Sequence, residues 1–177
     1  MKPVCCALLL VLSYTARAEI RNFHRIDEHI YRGRQPHKED FPYLAQIGIK
    51  TVLDLRGGMF HKPRERQVVE AAGMHYISMR LSGIFEPKDR QMAAILAVLQ
   101  DPARWPIFVH CRRGDDRLGM VIACYHMVQD HWTNQQALQE ASRMGLSRFE
   151  VLMRRYIRHF DPAKVQSLEQ TVAAAAP

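Results

Sequence analysis

Hydrophobic positions follow two different periods along the chain, and the changes of period separate predicted strands from predicted helices. Short, nearly continuous apolar runs predict strands that are buried on both faces of a sheet. Apolar residues three and four positions apart predict helices with one buried face. The predicted strands are Ile30–Arg32, Ile49–Leu55, Met74–Leu81 and a strand from Ile107, and the region Phe23 to Arg56 is expected to begin with a strand pair.

The predicted helices lie between and after these strands. Gly48 and Gly73 each follow a helical pattern and are good C-terminal stops, while Pro87 suits the first turn of another helix. The helices are placed at Lys38–Gln46, Arg64–Ala72, Pro87 through Leu99, Asp116–Asp130, Thr133 through Ala141, and Arg148–Phe160. This alternation predicts one α/β domain, a three-layer sandwich with a mainly parallel central sheet flanked by helices.

The first 18 residues are predicted to be a secretory signal peptide. Lys2 is a short positive region, Val4–Leu12 is an apolar core, and an Ala-Arg-Ala cleavage site precedes Glu19. The apolar core is too short for a membrane span, although an uncleaved anchor is the alternative. Cleavage implies a periplasmic or secreted protein with no stable membrane insertion.

The rest of the chain is predicted to be one domain at 19–165, followed by a disordered tail at 166–177. The 177-residue chain has a formal net charge of +7, which suits an anionic substrate. No basic run with interleaved aromatic residues indicates nucleic-acid binding. Cys111 and Cys124 remain after signal cleavage, and a helix between them would hold their Cα atoms too far apart for a disulfide.

The candidate chemistry lies between the strand from Ile107 and the helix from Asp116, in the run His110-Cys111-Arg112-Arg113-Gly114-Asp115-Asp116-Arg117. A helix N-terminus and a tight loop before it direct N–H groups inward, which creates a nest for a phosphate. The same positive field favours the thiolate of Cys111. Arg117 can grip two phosphate oxygens, and Gly114 permits the turn. The run therefore predicts an anion cradle with a nucleophile at its base, whose loop His110 can orient by a hydrogen bond.

The pattern His-Cys-x2-Gly-x2-Arg resembles the signature of the cysteine-dependent protein tyrosine phosphatases. Most of the mature chain resembles a small bacterial phosphatase of the atypical dual-specificity type. The similar segments are His24–Ile26, Ile30–Pro36, Gly48–Arg56, Phe108–Arg117 and Trp132–Ala141. The resemblance implies a protein tyrosine phosphatase-like sandwich. It also implies two-step hydrolysis of phosphomonoesters through a cysteinyl-phosphate, with no metal and no cofactor.

The resemblance also implies roles for the residues of the loop. Cys111 attacks the phosphorus, and Arg117 and the loop amides bind the equatorial oxygens, where they stabilise the transition state best. The phosphate-binding residues are then Arg112, Arg113, Gly114, Asp115, Asp116 and Arg117, supported by His110.

A general acid must protonate the leaving oxygen, and its identity is left open by the sequence. Many relatives use an Asp on the loop after the preceding strand. Here that loop has no Asp before its helix begins, and Glu86 is its first carboxyl group. Asp116, immediately before Arg117, is the favoured acid and Glu86 is the alternative. Asp115 and Asp89 are weaker candidates.

Leu118 departs from the family pattern, in which Ser or Thr usually follows the arginine and helps the thiolate leave. Breakdown of the cysteinyl-phosphate is therefore expected to be slow.

The favoured function is hydrolysis of phosphotyrosine, with phosphoserine or phosphothreonine, on proteins. Basic residues such as Arg112 and Arg113 keep open a phosphatase for inositol phosphates or another small polyanion. Leu118 keeps open a phospho-binding module with weak turnover. The expected partner is a phosphorylated protein or a small phosphorylated substrate.

Overall fold

The computed structural model describes residues 20–56 and 64–174, with side chains up to residue 171. The predicted signal peptide lies outside the described residues. Described strands form one sheet in the order β1-β2-β5-β3-β4, in which β1 is antiparallel to β2 and the other neighbours are parallel. They are β1 (His24–Arg25), β2 (Ile30–Arg34), β3 (Thr51–Asp54), β4 (His75–Ser78) and β5 (Ile107–Cys111). The mainly parallel sheet is as predicted.

Helices cover both faces of this sheet. They are α1 (Phe41–Gln46), α2 (Arg64–Ala71), α3 (Asp89–Leu99), α4 (Asp116–Gln129), α5 (Asn134–Arg143), α6 (Val151–His159) and α7 (Pro162–Ala174). Successive residues of β5 serve opposite faces, because Phe108 belongs to the apolar cluster beneath α1 and α2 while Val109 belongs to the larger cluster beneath the other helices. The three-layer sandwich is therefore confirmed. No helix in the described ranges is long and apolar enough to cross a membrane.

Helix α4 runs through the larger cluster and is buried along most of its length. Residues Leu118 and Met120–Cys124 are almost entirely inaccessible. Because close packing surrounds it, α4 is a rigid support for the loop that precedes it. Helix α5 begins with a capping box, in which Thr133 and Gln136 each accept from the other's backbone N–H at 3.3 and 2.9 Å.

Helix α7 corrects the prediction of a disordered tail at 166–177 as far as Ala174, and residues 175–177 lie outside the described residues. Pro162 ends the preceding helical pattern, as predicted, but it also occupies the first turn of α7, where its missing N–H costs little. Val165 is buried, Leu168 packs against the larger cluster, and the Gln100 amide donates to Glu169 at 3.2 Å. Packing against α3 stabilises a helix whose own sequence is too Ala-rich and irregular to indicate it.

Candidate active site

The turn between β5 and α4 lies at the carboxyl edge of the parallel strands. Cys111 is the last residue of β5 and Asp116 the first of α4, so the predicted loop is residues 112–115. The Gly114 N–H donates to Cys111 Sγ at 3.3 Å, a contact that stabilises a thiolate. The Asp115 carboxylate caps α4 by accepting from the Asp116 N–H at 2.9 Å.

This loop forms the floor of a cavity of about 450 Å³. Cys111 is only 2% exposed, so its thiol is reached only from the cavity. No carboxylate in the described chain pairs with the Arg117 guanidinium, which is therefore available to an anion. The cavity is lined by Gly83, Cys111, Arg112, Arg113, Asp115, Asp116, Arg117, Glu150 and Met153.

Gly114 is required by both conformation and space. Its φ of +84° lies in the left-handed region, and an added Cβ would lie 2.5 Å from the backbone nitrogen of Arg34. The loop therefore packs directly against the backbone of β2. No side chain fits there without moving one of the two segments.

We predict that Gly114→Ala lowers the free energy of unfolding by about 3 kcal/mol and removes most of the activity. Gly73→Ala is the matched control, because Gly73 also has a positive φ, of +81°, but open space around its Cβ position. The control is expected to cost about 1 kcal/mol through backbone strain alone. Thermal melts of both variants measure the difference, and equal shifts would show that the contact with β2 is unimportant.

Arg32 of β2 is a buried cation beneath the loop, and the sequence analysis did not select it. Its side chain donates to the Gly114 carbonyl at 2.8 Å and to the Met144 carbonyl at 3.4 Å. Burial lowers the pKa of the Arg32 guanidinium, whereas a charge on Cys111 acts to raise it. Arg32 thus joins the loop to the segment before α6 and adds positive charge near the thiol. The available signal was an arginine within a predicted strand.

His110 is completely buried behind the loop in a network of charged side chains. Its Nε2 lies 2.7 Å from a carboxylate oxygen of Glu65, and its Nδ1 lies 3.9 Å from Asp54. The Arg56 guanidinium contacts both carboxylates, and the Tyr76 hydroxyl donates to Asp54 at 2.8 Å. These close contacts place His110 in an ion-pair network, but neither ring nitrogen has hydrogen-bond geometry to a partner, so the hydrogen bond by which His110 was expected to orient the loop stays a prediction.

The same network explains the low pKa of Asp54. Burial alone would raise the pKa of Asp54, but hydrogen bonds and charge from Arg56, together with the charge of His110, lower it to about 2. Asp54, Glu65 and His110 lie close enough together to share a metal ion. However, Arg56 already neutralises both carboxylates, and its positive charge would repel a divalent cation. The geometry fits an ion-pair network that fixes the residue before Cys111.

Asp116, the favoured general acid, lies in the cavity wall with both carboxylate oxygens engaged. One accepts from the Ser147 N–H at 3.0 Å, and the other contacts the Arg113 guanidinium. Asp116 therefore holds the segment before α6 against the loop. Asp115 is also engaged, by its cap of α4 and by Arg113.

The other two predicted acids lie outside the cavity lining. The Glu86 carboxylate lies 3.6 Å from the Arg155 guanidinium on α6. Asp89 accepts from the Tyr156 hydroxyl at 3.1 Å and pairs with Lys164. These contacts tie the loop after β4 and the start of α3 to the C-terminal helices.

Glu150 also lines the cavity, and no sequence pattern indicated it. It precedes α6 and is 39 residues from Cys111 in the chain, so no local pattern connects the two. Cys111 and Cys124 are both free thiols in the structure. Complete burial raises the pKa of Cys124, which makes it an inert core residue.

Comparison with known proteins identifies the family. The model of the tyrosine phosphatase family matches residues 19–175. The chain belongs to this family. It is a cysteine-based phosphatase of the atypical dual-specificity type, as the resemblance over most of the mature chain implied.

Two relatives illustrate the range of substrates in similar chains. An inositol diphosphatase of Oryza sativa subsp. japonica is 26% identical over 152 residues, which is 83% of this chain and 67% of the relative. The dual specificity protein phosphatase TpbA of Pseudomonas aeruginosa strain UCBPP-PA14 is 28% identical over 125 residues, 70% of this chain and 55% of TpbA.

Solved structures share the fold. The catalytic core of the PP-IP phosphatase SIW14 from S. cerevisiae has a TM-score of 0.74 and 22% identity, covering 88% of this chain and 95% of that one. TpbA from P. aeruginosa in complex with phosphotyrosine has a TM-score of 0.69 and 24% identity, covering 86% and 90%. The sandwich and its phosphatase-like topology are thereby confirmed.

Proposed function

We propose that this phosphatase hydrolyses phosphotyrosine on proteins, with phosphoserine or phosphothreonine as further substrates, through a cysteinyl-phosphate on Cys111. The Cys111 thiolate attacks phosphorus as the ester P–O bond breaks, and the leaving oxygen takes a proton from a carboxyl group. Water then attacks the phosphorus, the S–P bond breaks, and inorganic phosphate leaves. Arg117 and the loop amides hold the phosphoryl oxygens through both steps.

Exposed hydrophobic side chains that neighbour cavity-lining residues in the chain support the choice of a protein substrate. Five large hydrophobic residues are exposed in the described chain, and all lie on the two segments that wall the cavity beside Gly83 and Glu150. We call them the apolar rim: Ile84, Phe85, Phe149, Val151 and Leu152. Exposed apolar patches beside a cleft mark protein or ligand contacts. A phosphotyrosine ring and apolar neighbours in a peptide fit such a rim better than a fully charged small molecule does.

A second candidate substrate is an inositol phosphate, and a separate observation favours it. A neighbouring depression of about 590 Å³ shares Arg112, Arg113 and Asp115 with the catalytic cavity. It adds the basic residues Arg21 and Arg34. A polyanion with one phosphate over Cys111 could place another there. Relatives of this chain include inositol diphosphatases.

Parallel assays distinguish the two substrates. The experiment compares kcat/KM for a phosphotyrosine peptide with apolar flanking residues and for an inositol phosphate that carries a diphosphate group. Two variants sharpen it. Phe149→Ser should impair only peptide hydrolysis, and Arg34→Ala only hydrolysis of the inositol compound. Two results together would overturn the proposal of a protein substrate. The parent enzyme would hydrolyse the inositol compound much faster than the peptide, and Phe149→Ser would leave peptide hydrolysis unchanged.

Leu118 leads to a prediction about the second step. Leucine has no hydroxyl group, so the side chain after Arg117 cannot help the thiolate leave, and this side chain is completely buried. Rapid mixing should show a burst of released phenol followed by a slow steady state. Leu118→Thr should raise the steady-state rate about tenfold, as one positioned hydrogen bond of about 1.4 kcal/mol would give.

Thermal melting controls for the cost of placing a hydroxyl in the core, about 1 to 3 kcal/mol. If the parent shows no burst and a folded Leu118→Thr variant is no faster, phosphate release from Cys111 does not limit turnover.

The proposed location is the periplasm or the medium, after removal of residues 1–18. The support is the charge, apolar core and Ala-Arg-Ala sequence before Glu19. Mass spectrometry of the mature protein tests it, since a chain beginning at Glu19 is expected and an intact Met1 would contradict it.

A further inference from the structure

Within the cavity, Glu150 differs from the other carboxyl groups. Asp115 and Asp116 are held by backbone N–H groups and by Arg113. No side chain in the described ranges forms a hydrogen bond or ion pair with the Glu150 carboxyl group. It is therefore the cavity carboxyl that can carry a proton without breaking an existing contact.

The backbone of Glu150 is held in place although its side chain is free. Its N–H donates to the Ser147 carbonyl at 3.2 Å. Its carbonyl accepts from the backbone N–H of Arg154, in the first turn of α6, at 3.0 Å. Ser147 is itself bonded to Asp116 at 3.0 Å. A short chain of hydrogen bonds thus fixes Glu150 relative to the loop that carries Cys111. Such support is what a positioned proton donor needs.

The alternative acids have other structural roles. Asp116 joins the loop to the segment before α6 and would have to release the Ser147 N–H or Arg113 to carry a proton. Glu86 lies outside the cavity lining, and its carboxylate is engaged by the Arg155 guanidinium at 3.6 Å. Neither arrangement suits the release of a proton into the cavity.

We propose that Glu150 is the general acid of this phosphatase, an assignment that rests on the cysteinyl-phosphate mechanism proposed above. As Cys111 Sγ forms its bond to phosphorus, the P–O ester bond breaks and its electron pair passes to the leaving oxygen. That oxygen takes the proton of the Glu150 carboxyl group. In the second step the Glu150 carboxylate takes one proton from the attacking water, which restores the acid.

The test uses the dependence of rate on the leaving group. Tyrosine is a poor leaving group with a pKa near 10, whereas the phenol of p-nitrophenyl phosphate is much more acidic and leaves without protonation. Glu150→Gln should lower kcat/KM for a phosphotyrosine peptide by about 10²- to 10³-fold. For p-nitrophenyl phosphate the loss should be within about threefold. The ratio kcat/KM is used because it reports the first step even where breakdown of the intermediate is slow.

Four further variants complete the experiment. Glu150→Asp should recover part of the activity on the peptide. Glu70→Gln, on the surface of α2, is the matched control and should leave kcat/KM for both substrates unchanged. Asp116→Asn should lower kcat/KM for both substrates to a similar extent, because it loosens the loop. Equal losses on both substrates in Glu150→Gln, or no loss, would overturn the assignment. A large loss on the peptide with little loss on p-nitrophenyl phosphate in Asp116→Asn or Glu86→Gln would also overturn the assignment of Glu150.

Cys111→Ser, assayed on p-nitrophenyl phosphate, separates this inference from the mechanism beneath it. If the serine variant is inactive and Glu150→Gln affects both substrates equally, the result rejects Glu150 as the acid but leaves the cysteinyl-phosphate mechanism in place. An active serine variant rejects the cysteinyl-phosphate mechanism itself.

Discussion

Replacing Cys111 with serine is expected to lower kcat by at least about 10⁴-fold while phosphate binding survives. A hydroxyl group is a far weaker nucleophile than a thiolate at neutral pH, and loss of a catalytic nucleophile removes nearly all turnover. Serine is slightly smaller than cysteine, so the Gly114 N–H that lies 3.3 Å from Sγ keeps its place and the cavity keeps its shape.

The measurement pairs turnover with binding. The dissociation constant of a phosphotyrosine peptide should change by less than about threefold, a difference below 1 kcal/mol. Serine-variant turnover close to the parent rate would reject the cysteine mechanism. Loss of binding together with turnover would instead indicate that the loop had collapsed, which the melting temperature checks.

Arg117→Lys is the second large effect, because it tests the cradle without touching the nucleophile. The lysine keeps the charge but cannot make the two parallel contacts of a guanidinium with the phosphoryl oxygens. We expect kcat/KM to fall by about 10²- to 10³-fold, the effect typical of losing one donor that stabilises the transition state. Binding of inorganic phosphate should weaken by about tenfold.

Arg143→Lys is the matched control, since Arg143 is exposed on α5 and lies outside the cavity lining. It should change neither rate nor binding. If Arg117→Lys were as active as the parent, the unpaired guanidinium in the cavity would have no part in holding the phosphoryl group.

The sequence by itself determined the parts of this protein that are local. The phosphate loop was predicted because Cys111, Gly114 and Arg117 are close in the chain, and because a strand end and a helix start are recognisable from their flanking residues. The mainly parallel sheet was predicted because each buried strand is a short apolar run followed by a helical pattern. These signals need no knowledge of distant contacts.

Only the tertiary structure brought the supporting residues to the loop. Arg32 lies 82 residues before Gly114 in the chain, yet it donates to its carbonyl. Glu65 contacts His110 because β3 and β5 are neighbours in the sheet and α2 packs beside them. Glu150 enters the cavity because Asp116 holds the segment before it. The sequence does not distinguish a charged side chain that faces solvent from one that packs behind an active site.

Helix α7 shows the same limit in the fold. Its Ala-rich sequence has no strong period, and among its described side chains Val165 and Leu168 contact the core where the helix docks on α3. Isolated helices of this length are marginal in water, and packing against the domain makes up the difference. The sequence determines which segments can bury a face, and the tertiary structure decides which marginal segments find a surface on which to do so.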